Sequence, residues 1–419
     1  MFSSAYFKRK VTNMEIMQAK ELVIKAGKEL VQSGLIARTW GNISCRISDT
    51  QFVITPSGRA YETLTPEEIV LVNIEDLTYD GEIKPSSEKG IHAAAYRLRP
   101  ECNFVIHTHQ INASIISALG MDINNIQGEN AQVIGDNVPI ASYGLPGTGK
   151  LRQGVIDAIT RSDSKAAIMA HHGALCMGAD YDDAFNVASR LEDVCEEAVK
   201  VKYETLTGKV AEGLSAVNDY VCESLIKKPL EAKEFDACKS ERDGSVFNIS
   251  LVNGDGSVTR IDIETGNVIA GEGCEDSIEL HRAVYKKRED VNYIYHSKDP
   301  YTVVCSKLGK TMRPLIDDFA QIVGATVKHA AYNPDNSLKT SKKVVRKLRG
   351  RNAVLLDNNG ALCVAGNEYD GGAIEFIMNK GAKIHVTAKM YNKFSPINPI
   401  ETRLMRFIYL TKYSKKASK

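Results

Sequence analysis

Apolar residues recur at helical spacing through "MEIMQAKELVIKAGKELVQSGL" (14–35), which predicts a helix ending at Gly34. Shorter runs with strand character follow: "NISCRI" (42–47), "QFVITP" (51–56) and "EIVLVNI" (68–74). "PSSEKGIHAAAYRLRP" (85–100) reads as a helix, capped by Ser86 or Ser87 and closed by Pro100. "CNFVIHTH" (102–109) reads as a strand and "AAIMAHHGALCMG" (166–178) as a strand broken by a turn. A long helix is expected over "DYDDAFNVASRLEDVCEEAVKVKYETL" (180–206). Strands with helices between them predict a mixed α/β domain. From about 205 to 240 the chain turns polar and loses strand signals.

Beyond that stretch the pattern repeats. "IHAAAYRLRPECNFVIHTH" (91–109) matches "LHRAVYKKREDVNYIYHSK" (280–298). His92 meets His281, Tyr96 meets Tyr285 and His107 meets His296, all at one offset (281 − 92 = 189). Tyr143 meets Tyr332 at the same offset, and "HGALCMG" meets "NGALCVAG" at 187. Two tandem copies of one domain are therefore expected: 1–215, a linker at 216–239, and a degenerate copy at 240–419. Chain length supports this, since 419 residues exceed one typical core.

The copies differ in their polar residues. His109 becomes Lys298, His172 becomes Asn359, and Glu88 falls opposite Ser277. The apolar frame stays while three polar positions go together. That marks Glu88, His109 and His172 as parts of one unit, intact in the first copy only. Two residues apart on a strand, His107 and His109 point to the same side. They supply two ligands of a metal site, and catalytic zinc usually takes three protein ligands with one position open. His172, beside Gly173 in a turn, is the best third ligand, with His171 the alternative. Glu88 sits in the first turn of its helix, where a carboxylate near a Lewis acid can move a proton. Loops "TWGNIS" (39–44), "TPSG" (55–58) and "PSSE" (85–88) carry the hydroxyls and backbone N–H groups that cradle phosphate. The second copy has no evident counterpart of the first two.

Composition narrows the picture further. Net charge is +1, which gives no global pull toward nucleic acid or membrane. The basic runs "KTSKKVVRKLRGR" (339–351) and "TKYSKKASK" (411–419) read as a solvated helix face and a solvated tail. Nine scattered cysteines without a CxxC pair argue against a disulfide framework and a cysteine zinc site. The start has no apolar h-region, no run reaches membrane-span length, and Met14 is a possible second start, so a cytoplasmic protein with a ragged N-terminus is expected.

Taken in order and spacing, "TWGNIS", "ITPSG", "KPSSEKGIHAAAY", "VIHTH" and "HHGALCMG" resemble the class II aldolase/adducin family. The resemblance covers about residues 15–210, and 240–395 as a degraded copy. It implies a three-layer α/β/α fold with an antiparallel-rich sheet, assembled as a homo-oligomer. It implies zinc on His107, His109 and His172, with Mn2+, Co2+ or Fe2+ also fitting the donors. Glu88 then corresponds to a resting ligand and catalytic acid/base, and Tyr143 to a proton donor. Gly41, Asn42, Ser57, Gly58, Ser86 and Ser87 correspond to phosphate-binding positions. The implied reaction is retro-aldol cleavage of a ketose 1-phosphate, of the L-fuculose 1-phosphate kind, to dihydroxyacetone phosphate and an aldehyde. A small sugar phosphate is the expected partner, with neither nucleic acid nor membrane. Epimerase, dehydratase and decarboxylase relatives use the same ligands; adducin-like relatives keep the fold as interaction proteins without catalysis.

Overall fold

The computed structural model describes residues 15–36, 40–226 and 232–413. The expected ragged start, Thr39 of the first loop, residues 227–231 of the expected linker and the end of the basic tail lie outside them. The chain divides into two compact units, one up to Cys195 and one from Glu196 onward.

In the first unit the opening apolar pattern forms α1 (Ile16–Gln32), which buries Ala19, Val23, Ala26 and Leu30. Then follow β1 (Gly41–Arg46), β2 (Gln51–Ile54), β3 (Val70–Asn73), α2 (Lys89–Leu98), β4 (Phe104–Thr108) and α3 (Ile111–Leu119). A short ladder of β5 (Ile123–Asn124) and β6 (Asn137–Val138) flanks α4 (Gly128–Ile134). The unit continues with β7 (Ile140–Ala141), α5 (Gly149–Thr160), β8 (Ala166–Met169), β9 (Ala174–Gly178) and α6 (Tyr181–Thr207), inside which the boundary falls. Seven strands make one sheet in the order β3-β2-β1-β4-β9-β8-β7. Every pair is antiparallel except β7–β8.

Alternation along β4 explains the layering. Val105 joins the core shared with Ile91, Ala95 and Tyr96 of α2 and Leu151, Val155 and Ala158 of α5. Phe104 points the other way, its ring 5.7 Å from that of Tyr181 on α6. Helices thus cover both faces of the sheet, whose central strands β4, β8 and β9 are buried along their whole length.

The second unit repeats this plan. Helix α7 (Ser215–Leu225) forms within the stretch expected as a linker, burying Val217, Asn218 and Val221. After it come β10 (Cys238–Asp243), β11 (Val246–Leu251), β12 (Thr259–Asp262), β13 (Val268–Ala270), α8 (Glu275–Lys287), β14 (Tyr293–Ser297) and α9 (Pro300–Lys307). The rest is β15 (Lys328–Ala330), α10 (Ser337–Leu348), β16 (Ala353–Leu356), β17 (Ala361–Ala365), α11 (Glu368–Met390) and α12 (Pro399–Ile408). The sheet order is β13-β12-β11-β10-β14-β17-β16-β15, which is the first unit's order with one strand added at the edge. Its β15–β16 pair is parallel, as β7–β8 is. Among the described residues no helix is long and apolar enough to cross a membrane.

A buried polar cluster locks β1 to α2, and again β10 to α8. Ser44 Oγ bonds His92 Nδ1 and Tyr96 Oη, both at 2.6 Å; Ser240 Oγ bonds His281 Nδ1 at 2.7 Å and Tyr285 Oη at 2.8 Å. Arg46 and Arg242 donate to the Tyr96 and Tyr285 carbonyls. Buried polar groups stay cheap when each finds a partner, so this cluster survives in both copies as part of the frame.

Candidate metal centre

His107 lies on β4 and His109 just past its end, on one side of the sheet. Neighbouring β9 sets Ala174 opposite Thr108 and Leu175 opposite His107, so the β8–β9 turn ends beside both histidines. The turn is tight. The Met169 N–H donates to the Gly173 carbonyl at 2.7 Å and the His172 N–H to the Met169 carbonyl at 3.1 Å, with His171 left-handed at φ 60°. Only glycine fits at 173. A Cβ there would collide with the Thr108 carbonyl and stand 3.1 Å from His107 Cε1 and 3.3 Å from His109 Cδ2.

The turn delivers His172, not His171, to the pair. Ring centroids are 4.8 Å apart for His107–His109, 4.9 Å for His107–His172 and 4.7 Å for His109–His172. Their ligand-capable nitrogens lie within 4.8 Å of one another, and all three residues are buried. His171 turns away, its ring 5.4 Å from that of Tyr143. Tyr143 thus meets the site through His171.

Glu88 immediately precedes α2 and completes the cluster. Its Oε1 is 2.9 Å from His172 Nε2 and its Oε2 is 3.3 Å from His107 Nε2. Burial alone would push this carboxyl up. Interactions with the His172 and His107 imidazoles, with hydrogen bonds from His172 and Asn42, carry it well below the usual carboxylate range. Burial holds His107 well below the usual histidine value, in the neutral form a metal requires.

The donor set fits a divalent transition ion. His107 Nδ1 lies 2.8 Å from the Ala174 carbonyl. A carbonyl only accepts, so Nδ1 carries the proton and Nε2 turns its lone pair inward. His109 Nε2 is 3.1 Å from that lone pair, so a proton or a cation has to lie between them. Three imidazole nitrogens with one nearby carboxylate match zinc with an open position, and also suit manganese, cobalt or iron.

The phosphate-type loops are drawn together beside Glu88. Pro56 bridges Pro85, the Ser57 N–H donates to the Lys84 carbonyl at 3.0 Å, and the Ser86 N–H to the Thr55 carbonyl at 3.0 Å. Ser86 Oγ accepts from the Glu88 N–H at 3.2 Å. Ser87 is exposed, and Ser57 and Gly58 are half-buried. Gly41 has a packing reason of its own: at φ 125°, a Cβ would stand 2.6 Å from the His107 carbonyl oxygen. Asn42 is placed otherwise than a phosphate loop suggests. Its Nδ2 donates to Glu88 Oε2 at 3.0 Å and its Oδ1 faces His92 Nε2 at 2.5 Å. Sequence reasoning used His92 only to align the copies; its link to Glu88 runs through strand register that spacing does not reveal.

The corresponding place in the second unit is filled with carbon. The Phe235 ring packs 5.1 Å from that of His296 and 5.1 Å from that of Tyr332. Asn359, standing where His172 stands, accepts from the Phe235 N–H at 3.1 Å and donates to the Lys233 carbonyl at 3.0 Å. Lys298, at the His109 position, lies over the Phe235 ring at 5.9 Å. Ser277, at the Glu88 position, is buried.

A family model described as the class II aldolase and adducin N-terminal domain matches residues 21–199 and 252–370. A 5-methylthioribulose-1-phosphate/5-deoxyribulose-1-phosphate aldolase of Escherichia coli is 36% identical over 187 residues, which are 45% of this chain and 86% of that protein. A 5-deoxy-D-ribulose 1-phosphate aldolase of Bacillus thuringiensis is 33% identical, over 43% of this chain and 83% of its own length. An L-fuculose phosphate aldolase of Shigella flexneri is 33% identical, over 43% and 81%. A solved structure described as L-fuculose 1-phosphate aldolase is 26% identical, with a TM-score of 0.42, covering 48% of this chain and 92% of its own.

Proposed function

The chain belongs to the class II aldolase and adducin family, and we propose that its first unit is a metal-dependent aldolase acting on a ketose 1-phosphate. The observation that carries this reading is the convergence of His107, His109 and His172 within 4.8 Å, with Glu88 Oε1 2.9 Å from His172. Two relatives described as aldolases of ribulose 1-phosphate derivatives and one described as an L-fuculose phosphate aldolase, each matching less than half of this chain, support the substrate class.

The three histidines would hold the ion, zinc by preference. Bound there, it supplies a Lewis acid that polarises a substrate carbonyl and stabilises negative charge as a carbon–carbon bond breaks. Asn42 donates to Glu88 Oε2, so Oε1, which faces His172, would be the oxygen to take a proton and return it once His172 holds the ion. The hydroxyls of Ser57, Ser86 and Ser87 and the N–H groups at Gly41 and Gly58 would seat the phosphate and so set the reacting carbons near Glu88. Tyr143, beside His171, would exchange the C4 hydroxyl proton, taking it as cleavage turns that hydroxyl into the aldehyde and donating it in the reverse addition. C3–C4 cleavage then releases dihydroxyacetone phosphate and an aldehyde.

Two measurements on one preparation test this. Bound metal is read by elemental analysis. Dihydroxyacetone phosphate release is followed from L-fuculose 1-phosphate and from 5-deoxyribulose 1-phosphate. About one metal per chain is expected, with release from at least one sugar and loss of both signals in His109→Ala. Metal without release from either sugar would sink the aldolase reading; two metals per chain would give the second unit a site of its own.

A further inference from the structure

Behind Glu88 runs a chain of buried hydrogen bonds that leads away from the metal centre: Tyr96 Oη to Ser44 Oγ (2.6 Å), Ser44 Oγ to His92 Nδ1 (2.6 Å), His92 Nε2 to Asn42 Oδ1 (2.5 Å) and Asn42 Nδ2 to Glu88 Oε2 (3.0 Å). Its direction follows from elementary donor and acceptor rules. An ionised carboxylate only accepts, so Asn42 must turn its NH2 toward Glu88. Its carbonyl oxygen then faces His92, and a carbonyl also only accepts. His92 Nε2 must therefore carry the proton and Nδ1 must accept from Ser44, which in turn accepts from Tyr96. Burial keeps His92 neutral, pushed down to about 3, so one ring proton serves the whole chain.

We propose that His92 is a positioning residue: its Nε2–H fixes the direction of the Asn42 amide, and Asn42 thereby holds one oxygen of Glu88 so that the other, on the His172 side, takes the substrate proton. This rests on the assignment of Glu88 as the proton carrier.

The second unit serves as a control. It keeps Tyr285, Ser240 and His281 in the same bonds but places Cys238 where Asn42 stands and Ser277 where Glu88 stands. There His281 Nε2 is buried with no hydrogen-bond partner among the described residues. The Tyr–Ser–Nδ1 half of the cluster is thus frame, common to both copies. The Nε2 half is engaged only in the unit that has a carboxylate to hold. The fold tolerates an idle Nε2, so breaking the link at Asn42 should not unfold the first unit.

The test uses the full chain with metal as purified, in wild type and in Asn42→Cys, which copies the second unit, and in His92→Phe and His92→Gln. Histidine is labelled with 15N, and the ring tautomers and exchange-protected ring protons are read by NMR. Metal content, kcat and KM are measured alongside. Wild type should show His92 as the Nε2–H tautomer with a protected proton, and Asn42→Cys should lose that protection with metal retained. In Asn42→Cys and His92→Phe kcat should fall roughly 10- to 100-fold while KM stays within about twofold, since only proton transfer is misplaced. His92→Gln, which keeps a donor, should recover most of the loss. The double variant should be no worse than either single one. An Nδ1–H tautomer in wild type would overturn the proposal. So would unchanged kcat in Asn42→Cys, or a loss appearing in KM alone. The tautomer is read whether or not the chain cleaves a sugar phosphate, so a failure of the aldolase reading leaves it to decide.

Discussion

The two units share a strand order, a parallel edge pair and a Ser–His–Tyr–Arg lock, yet one gathers three imidazoles and a carboxylate where the other packs a benzene ring. The sheet does not need the metal centre. It needs something in that space, because buried polar groups and voids are both costly. Asn359 and Phe235 meet the requirement together. The amide satisfies the backbone of an incoming segment, and the ring fills the room this leaves. Losing the ligands was therefore a repacking as well as a deletion.

The largest effect that can test this contrast is removal of a ligand. His109→Ala, or His172→Ala, should abolish metal retention and lower turnover by about a thousandfold or more, while the second unit stays folded by circular dichroism. Next in size, Glu88→Gln should keep the metal and lower kcat roughly 100- to 10,000-fold; retained turnover would remove Glu88 from the chemistry. Phe235→Ala should destabilise the second unit by about 3–5 kcal/mol in thermal melts and leave first-unit turnover alone.

Acid offers a gentler probe. Burial holds His281 near 3, His296 near 4 and His385 near 3, against an ordinary value of 6.5. Between those limits the unfolded chain binds protons that the folded unit refuses. Stability from these groups is thus complete above about pH 6.5 and drains as pH falls, by up to about 1.4 kcal/mol per pH unit for each histidine. Denaturant midpoints measured from pH 7 to 4 should track this slope. The smallest expected effect is a null one. Lys298→His with Asn359→His restores the imidazoles of the second unit, yet no second metal should bind while Phe235 remains. Adding Phe235→Ala should let metal in. Uptake before that third change would show that ligand loss alone silenced the unit.

Much of this was legible in the sequence where a local signal existed. Residues two apart on a strand share a side, so His107 and His109 declared themselves. The comparison of copies singled out Glu88 and His172 without any geometry. Phe235 was not legible, because one apolar residue ahead of a strand looks the same whether it plugs a cavity or lies on a surface. The partners of Asn42 were hidden for a related reason. They depend on how β1 meets α2, and that register is set by tertiary packing. Helix α7 escaped notice because its polar composition masks only three buried positions, Val217, Asn218 and Val221.

The glycine at the β8–β9 turn has a counterpart in Gly360, where an added Cβ would collide with the Ser297 carbonyl just as one at Gly173 would with Thr108. Neither glycine performs chemistry, and the two clashes are alike. A random-mutagenesis screen for lost folding would therefore map hits to both units, including the one without a metal centre. Such a map charts the architecture that the two copies share, and its densest positions need lie nowhere near the substrate.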